Sequence, residues 1–178
     1  NIFSNKDGSA TEMFKHYIGG LQKYMPEALL IFAPYSNSYR RFLSYWSSPV
    51  NLEWATDNRS VGLRVPDCEP QNRRVENRLA GSDVNPYLVL AATLACGYMG
   101  IEERIEPRKA IEGSAYDLPF SLHRHMYASI DAFSQSRAMR KMFGDSFVDM
   151  YSGIKQKEHE KFQEIITPWE REVLMLNV

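Results

Sequence analysis

Apolar positions at Met13, Phe14, Tyr17, Ile18 and Leu21 recur every three or four residues, the spacing of one helical face, and predict a helix from Ser9 to about Tyr24. Ser9 stands where an N-cap would, and Glu12 three residues on completes a capping-box pattern. Met25-Pro26-Glu27 predicts a short second helix running to Phe32, because proline is tolerated in a first helical turn, and Pro34 ends it. Residues 35–49 mix Ser, Asn, Tyr, Arg and Pro without periodicity and read as an ordered loop.

Three strands are predicted next, at about 51–56, 60–66 and 73–79, with a proline-rich loop from Pro66 to Pro70 between the last two. They are expected to lie as antiparallel neighbours in one sheet. Asn85-Pro86 supplies an N-cap followed by proline at the first helical position. The stretch from Tyr87 to Ile101 is apolar nearly all round, as in a helix buried against a sheet. After a loop at roughly 102–116, Asp117-Leu118-Pro119 opens a predicted helix to about Phe133. Further helices are predicted at about 135–143, 145–165 and 167–175, with Gly144 between two of them and Pro168 in a first turn. No repeat or compositional break divides the chain, so it reads as one α+β unit with a helical C-terminal region.

Composition narrows the function classes. With 44% hydrophobic and 12% aromatic residues in 178, the chain can bury a core. Its 21 basic and 22 acidic residues give a net charge of −1, which denies it the broad positive field of a nucleic-acid binder. Cys68 and Cys96 form no CxxC or Cys/His pattern, so neither zinc nor a disulfide framework is indicated and a cytoplasmic setting is expected. No apolar run is long enough to span a membrane. The opening on a turn-like Ser4-Asn5-Lys6-Asp7-Gly8 segment without an initiator Met suggests a piece of a longer chain.

The charge that stands out is local. Arg59, Arg64, Arg74 and Arg78 fall within twenty residues, three of them in predicted strands. On a strand Arg74, Glu76 and Arg78 share parity and face one side, putting a carboxylate between two guanidiniums. That pattern fits an exposed strand face laced with weak ion pairs. It equally fits a nucleotide site, with Glu76 holding a divalent metal on the phosphates and the arginines neutralising phosphoryl oxygens. His123-Arg124-His125 is read as helical, where residues two apart diverge by about 200° and cannot share one ion. Tyr45 and Trp46 are candidates either for a substrate pocket or for simple packing.

Three ordered segments carry a resemblance: Asn37-Ser38-Tyr39-Arg40-Arg41-Phe42, the run from Asp57 to Pro66 around Asp57-Asn58-Arg59-Ser60, and Arg74-Val75-Glu76-Asn77-Arg78 leading to Asp83-Val84-Asn85-Pro86-Tyr87-Leu88. Together they resemble the signatures of glutamine synthetases. The resemblance extends from Phe3 to the chain's end, weakening to a helical pattern after about residue 116. It implies the later portion of a catalytic domain, with antiparallel strands of a partial barrel packed by helices. The N-terminal β-domain, the other metal-binding glutamates and a His-containing motif would lie upstream.

The resemblance also implies an ATP-dependent ligase that forms a γ-glutamyl phosphate and passes the acyl group to an amine, using Mg²⁺ or Mn²⁺. It further implies a ring-shaped homo-oligomer with active sites between subunits. By motif, Arg41 would bind the glutamate carboxylate, and Arg59 and Arg64 the ATP phosphates or the phosphoryl group in transfer. Arg74 would face the nucleotide, Glu76 would ligate the metal, and Arg78 would contact glutamate or the transferring phosphoryl group. Arg59 and Arg78 are thus the expected catalytic pair.

One departure bears on the nucleophile. Ammonia-using members carry Gly-Tyr-Glu-Ala-Pro where this chain has Tyr45-Trp46-Ser47-Ser48-Pro49, so Ser47 replaces a glutamate that helps bind and deprotonate ammonium. That change, and wording similar to γ-glutamylpolyamine and γ-glutamylputrescine synthetases, points to an organic amine. An ammonia-using enzyme and a non-catalytic structural or regulatory subunit are the alternatives.

Overall fold

The computed structural model describes residues 1–43, 45 and 47–175. Helix α1 spans Glu12–Tyr24 and α2 Leu29–Phe32, followed by a three-ten turn at Ser36–Arg41. Strands β1 (Trp54–Thr56), β2 (Leu63–Val65) and β3 (Glu76–Asn77) come next, then helices α3 (Pro86–Glu102), α4 (Met126–Gln135), α5 (Arg137–Phe143) and α6 (Asp145–Gln163). The class is α+β, as the sequence pattern predicts.

The sheet is mixed. Its order is β1-β2-β3, with β2 and β3 antiparallel as expected and β1 and β2 parallel, contrary to expectation. The strands are so short that a six-residue connection suffices to return the chain: three residues rise only about 10 Å. The reversal starts at Asp57, whose φ is +52°, and is tightened by the Ser60 amide donating to Asn58 Oδ1 at 2.9 Å. Each strand is also shorter than its apolar pattern suggested.

Two helix starts shift for local reasons. The N-cap of α1 is Thr11, whose Oγ1 accepts from the Phe14 amide at 3.2 Å, while Ser9 is engaged by Asp7. The helix expected from Asp117 begins at Met126 instead. Pro119 biases the residue before it towards extended backbone, and Leu118 has ψ of 160°. His123 and His125 therefore precede α4 rather than lie on it, so the helical-spacing argument about them does not apply. At the far end, Glu170–Leu174 forms a π-helical turn.

Asn85 caps α3 as its sequence requires, accepting from the amides of Tyr87 and Leu88. The helix packs chiefly on α1 rather than on the sheet. Glycines make that approach possible. A Cβ on Gly20 would sit 2.4 Å from the Cys96 carbonyl oxygen, and one on Gly100 would sit 2.2 Å from that of His16. Burial in this seam pushes the Cys96 thiol pKa well above its ordinary value, which suits an inert packing role. The opposite face of α3 leaves Tyr87, Leu90, Leu94 and Tyr98 exposed, so the helix is not buried all round. The core gathers Ile18, Leu21, all of α2, Leu63, Leu79, Phe133 and Met139. Among the described residues, no helix is long and apolar enough to cross a membrane.

Candidate active site

The β2–β3 register sets Arg64 opposite Glu76 while Leu63 turns into the core. Arg64 Nη1 donates to Glu76 Oε2 at 2.7 Å, and its Nη2 donates to Asp57 Oδ1 at 2.5 Å. Those two carboxylates raise the Arg64 pKa further above its ordinary value. The other Glu76 oxygen lies 3.8 Å from Arg78 Nε.

Arg78 acts as a bracket. Its Nη2 donates to the Ser47 carbonyl at 2.9 Å, and its Nη1 donates to the carbonyls of Val61, at 3.1 Å, and Arg59. One side chain thus ties the Ser47 loop, the turn after β1 and Glu76 into one unit.

The residues singled out from sequence divide. Arg64, Glu76 and Arg78 converge. Arg59 joins them through its backbone, while its exposed guanidinium makes no ion pair among the described residues. Neither Arg74 nor Arg78 lies within β3; Arg78 approaches Glu76 at 3.8 Å as its parity predicts, while Arg74 donates to the Asn72 carbonyl at 3.1 Å. Arg41 is turned inward, its Nη2 donating to the carbonyls of Phe32, at 3.1 Å, and Leu79, with the guanidinium over the Phe42 ring. Its Nε is buried without a hydrogen-bond partner among the described residues. Burial lowers its pKa from the usual guanidinium value, and Asp83 opposes that effect.

Sequence reasoning missed Asp57, Asp117 and Arg73. Asp57 stands inside a quoted motif, and its position next to the chain reversal was the available signal. Arg73 has a structural task, donating to backbone or hydroxyl oxygens of Phe3, Ser4, Gly8 and Ser9. Asp117 accepts from the Tyr45 hydroxyl at 2.7 Å, across 72 positions of sequence. Trp46 lies outside the described residues. Tyr45 and Ser47 both have φ of +66°, a region that costs side chains other than glycine about 1 kcal/mol or more.

Two further groups were tested as metal ligands. Neither His123 nor His125 belongs to a ligand cluster among the described residues. Glu12, His16 and Glu106 do place ligand atoms within 4.8 Å of one another. There, however, Lys15 takes Glu12 at 2.7 Å and His16 meets Glu106 at 3.1 Å, an exposed ion-pair arrangement complete in itself.

A cavity of about 600 Å³ is lined by Tyr24, Glu27, Glu103 and Lys141 among others and contains none of the arginines discussed. In the arginine cluster Arg64 and Arg78 are half-buried and Glu76 is exposed. Glu76 offers one exposed carboxylate, which fits one ligand position of a divalent ion but not a complete site.

The fold agrees with the comparisons. Residues 1–174 match the catalytic domain of glutamine synthetase, and the chain belongs to that family. It is 32% identical over 180 residues to γ-glutamylputrescine synthetase of Escherichia coli (strain K12), covering 99% of this chain and 38% of that protein. It is also 33% identical over 186 residues to a glutamine synthetase of Vibrio cholerae, covering 97% of this chain and 39% of the relative. A solved structure of GmaS without ligand superposes with a TM-score of 0.84 at 23% identity, over 98% of this chain and 41% of the other. The chain thus spans about two fifths of the length of the proteins it matches. Nearly equal identity to the two kinds of relative leaves the amine to be argued from the site.

Proposed function

We propose that this chain is the C-terminal part of the catalytic domain of an ATP-dependent glutamate–amine ligase whose nucleophile is an organic amine or polyamine. The observation that carries the reading is the bond from Arg78 to the Ser47 carbonyl, which couples the loop altered at Ser47 directly to the Glu76–Arg64 charge cluster. A loop fixed to the reacting centre is where a lost carboxylate changes which amine is accepted.

In this reading the γ-phosphoryl group of ATP passes to the γ-carboxylate of glutamate. The amine then attacks the acyl carbon, phosphate leaves, and the amine gives up a proton. The exposed guanidiniums of Arg59 and Arg74 neutralise phosphoryl oxygens, with Arg64 serving the same charge from the β2 edge. Arg78 keeps the Ser47 loop and Glu76 in register as charge moves. Arg41 is assigned the glutamate carboxylate by motif, and its bonds to Phe32 and Leu79 support a positioning part as well. A bound Mg²⁺ or Mn²⁺ supplies Lewis-acid stabilisation of the phosphoryl oxygens, with Glu76 offering one of its ligands. The remaining ligands and the base come from outside this chain, in a ring-shaped homo-oligomer whose sites lie between subunits.

The test is phosphate release by the full-length polypeptide that carries this chain, with ATP, glutamate and Mg²⁺. Ammonium, methylamine, ethanolamine, putrescine and spermidine serve in turn as the sole amine. Release driven by organic amines over ammonium is expected; preference for ammonium overturns the amine assignment.

A further inference from the structure

Four features converge beside the Ser47 loop. Tyr45 occupies the glycine position of the Gly-Tyr-Glu-Ala-Pro pattern and does so at φ of +66°, a backbone suited to glycine. Its hydroxyl reaches Asp117 Oδ1 at 2.7 Å, and its ring lies 5.1 Å from that of Tyr116. Asp117 is exposed and makes no ion pair among the described residues, and its contact with the aromatic pair is the hydrogen bond it accepts from the Tyr45 hydroxyl. The Tyr116 hydroxyl is buried and has no hydrogen-bond partner among the described residues, an orphaned polar atom at the same place.

This cluster is built into the site rather than hung from it. The turn bearing Tyr116 and Asp117 is pinned to the segment around Arg59: Asn51 Nδ2 donates to the Ala115 carbonyl at 2.8 Å. The Ala115 amide donates to Ser60 Oγ at 2.8 Å, and Asn58 Nδ2 to the Gly113 carbonyl at 2.6 Å. On the other side, Arg78 holds Ser47, two residues from Tyr45. The loop that lacks a carboxylate at Ser47 therefore has one beside it in Asp117, held by the Tyr45 hydroxyl. An exposed carboxylate without a cationic partner attracts an ammonium through its formal charge and a charge-assisted hydrogen bond.

We propose that Asp117, at the hydroxyl of Tyr45, receives the distal ammonium of a diamine or polyamine substrate whose other amine is acylated. The inference rests on the organic-amine reading above and adds the substrate's second charge. A monoamine of the same length reaches the reacting centre but leaves this subsite unused.

The experiment compares kcat/KM for 1,4-diaminobutane and butylamine in the full-length polypeptide, unaltered and as Asp117→Asn. Tyr45→Gly is a second variant, and ATP binding verifies that each variant is folded. The unaltered protein is expected to prefer the diamine by about tenfold to a hundredfold, the range of a charge-assisted hydrogen bond. In Asp117→Asn the ratio falls toward one through KM for the diamine, and in Tyr45→Gly it falls part of the way. A preference that survives Asp117→Asn, or equal use of the two amines by the unaltered protein, overturns the subsite and leaves an organic-amine ligase standing. Turnover with ammonium alone overturns both readings.

Discussion

Arg64 and Glu76 stand opposite each other across the β2–β3 ladder, with Nη1 2.7 Å from Oε2. The pair is open to solvent on the Glu76 side, so its Coulomb gain is largely screened and it contributes little to stability. Its value lies in aiming a carboxylate and two guanidiniums at one patch of surface.

Glu76→Gln in the full-length polypeptide is therefore expected to leave the melting temperature nearly unchanged and to lower metal-dependent phosphate release by about a hundredfold or more, as removal of a transition-state electrostatic group does. Thermal unfolding and steady-state kinetics on the same preparation check this. A large loss of stability with intact turnover would assign Glu76 to the fold instead.

Arg41 is expected to behave differently. Its inward bonds mean that Arg41→Ala removes the donor to the Leu79 carbonyl, while the Phe32 carbonyl keeps the Gly81 amide, and the change costs about 1–3 kcal/mol. Chemical denaturation measures this. A change confined to KM for glutamate would show that the side chain serves the substrate alone.

The α1–α3 seam gives a steric prediction. A methyl group on Gly100 would fall 2.2 Å from the His16 carbonyl oxygen, a backbone atom that cannot swing away. Gly100→Ala should destabilise by about 1–3 kcal/mol, whereas Gly153→Ala, where a Cβ meets nothing within 4 Å, should not destabilise. Denaturant midpoints of the two variants test the contrast.

His123 supplies a pH dependence. Partial burial lowers its folded pKa below the ordinary 6.5, so the unfolded chain binds the proton more tightly. Its contribution is fully present above the unfolded value and is lost as pH falls from there through the lowered folded value. Unfolding free energies from about pH 8 to about pH 5 should therefore fall more steeply for the unaltered protein than for His123→Gln. Parallel curves would remove His123 as the cause.

Legibility from sequence followed the range of the interactions involved. The α3 cap was readable because Asn85-Pro86 acts on the next two or three residues. The approach of Arg78 to Glu76 was readable because period-two alternation is local, whereas Arg64 meets Glu76 through the β2–β3 register. The parallel pairing of β1 with β2 was not readable, since it depends on Asp57 adopting φ of +52° and on strands shorter than their apolar runs. Asp117 carried no local signal at all; only the fold brings it to Tyr45. Arg74, predicted to share a face with Glu76, turns instead to the Asn72 carbonyl.

In the proposed function this chain's charge cluster serves transfer of the ATP γ-phosphoryl group to glutamate. Positional isotope exchange in ATP, followed in the full-length polypeptide with Mg²⁺ and no amine, tests that step without reference to the nucleophile. Scrambling of the β,γ-bridging oxygen is expected only when glutamate is added, and is expected to be lost in Glu76→Gln. Absence of glutamate-dependent scrambling in a folded, ATP-binding protein would contradict it.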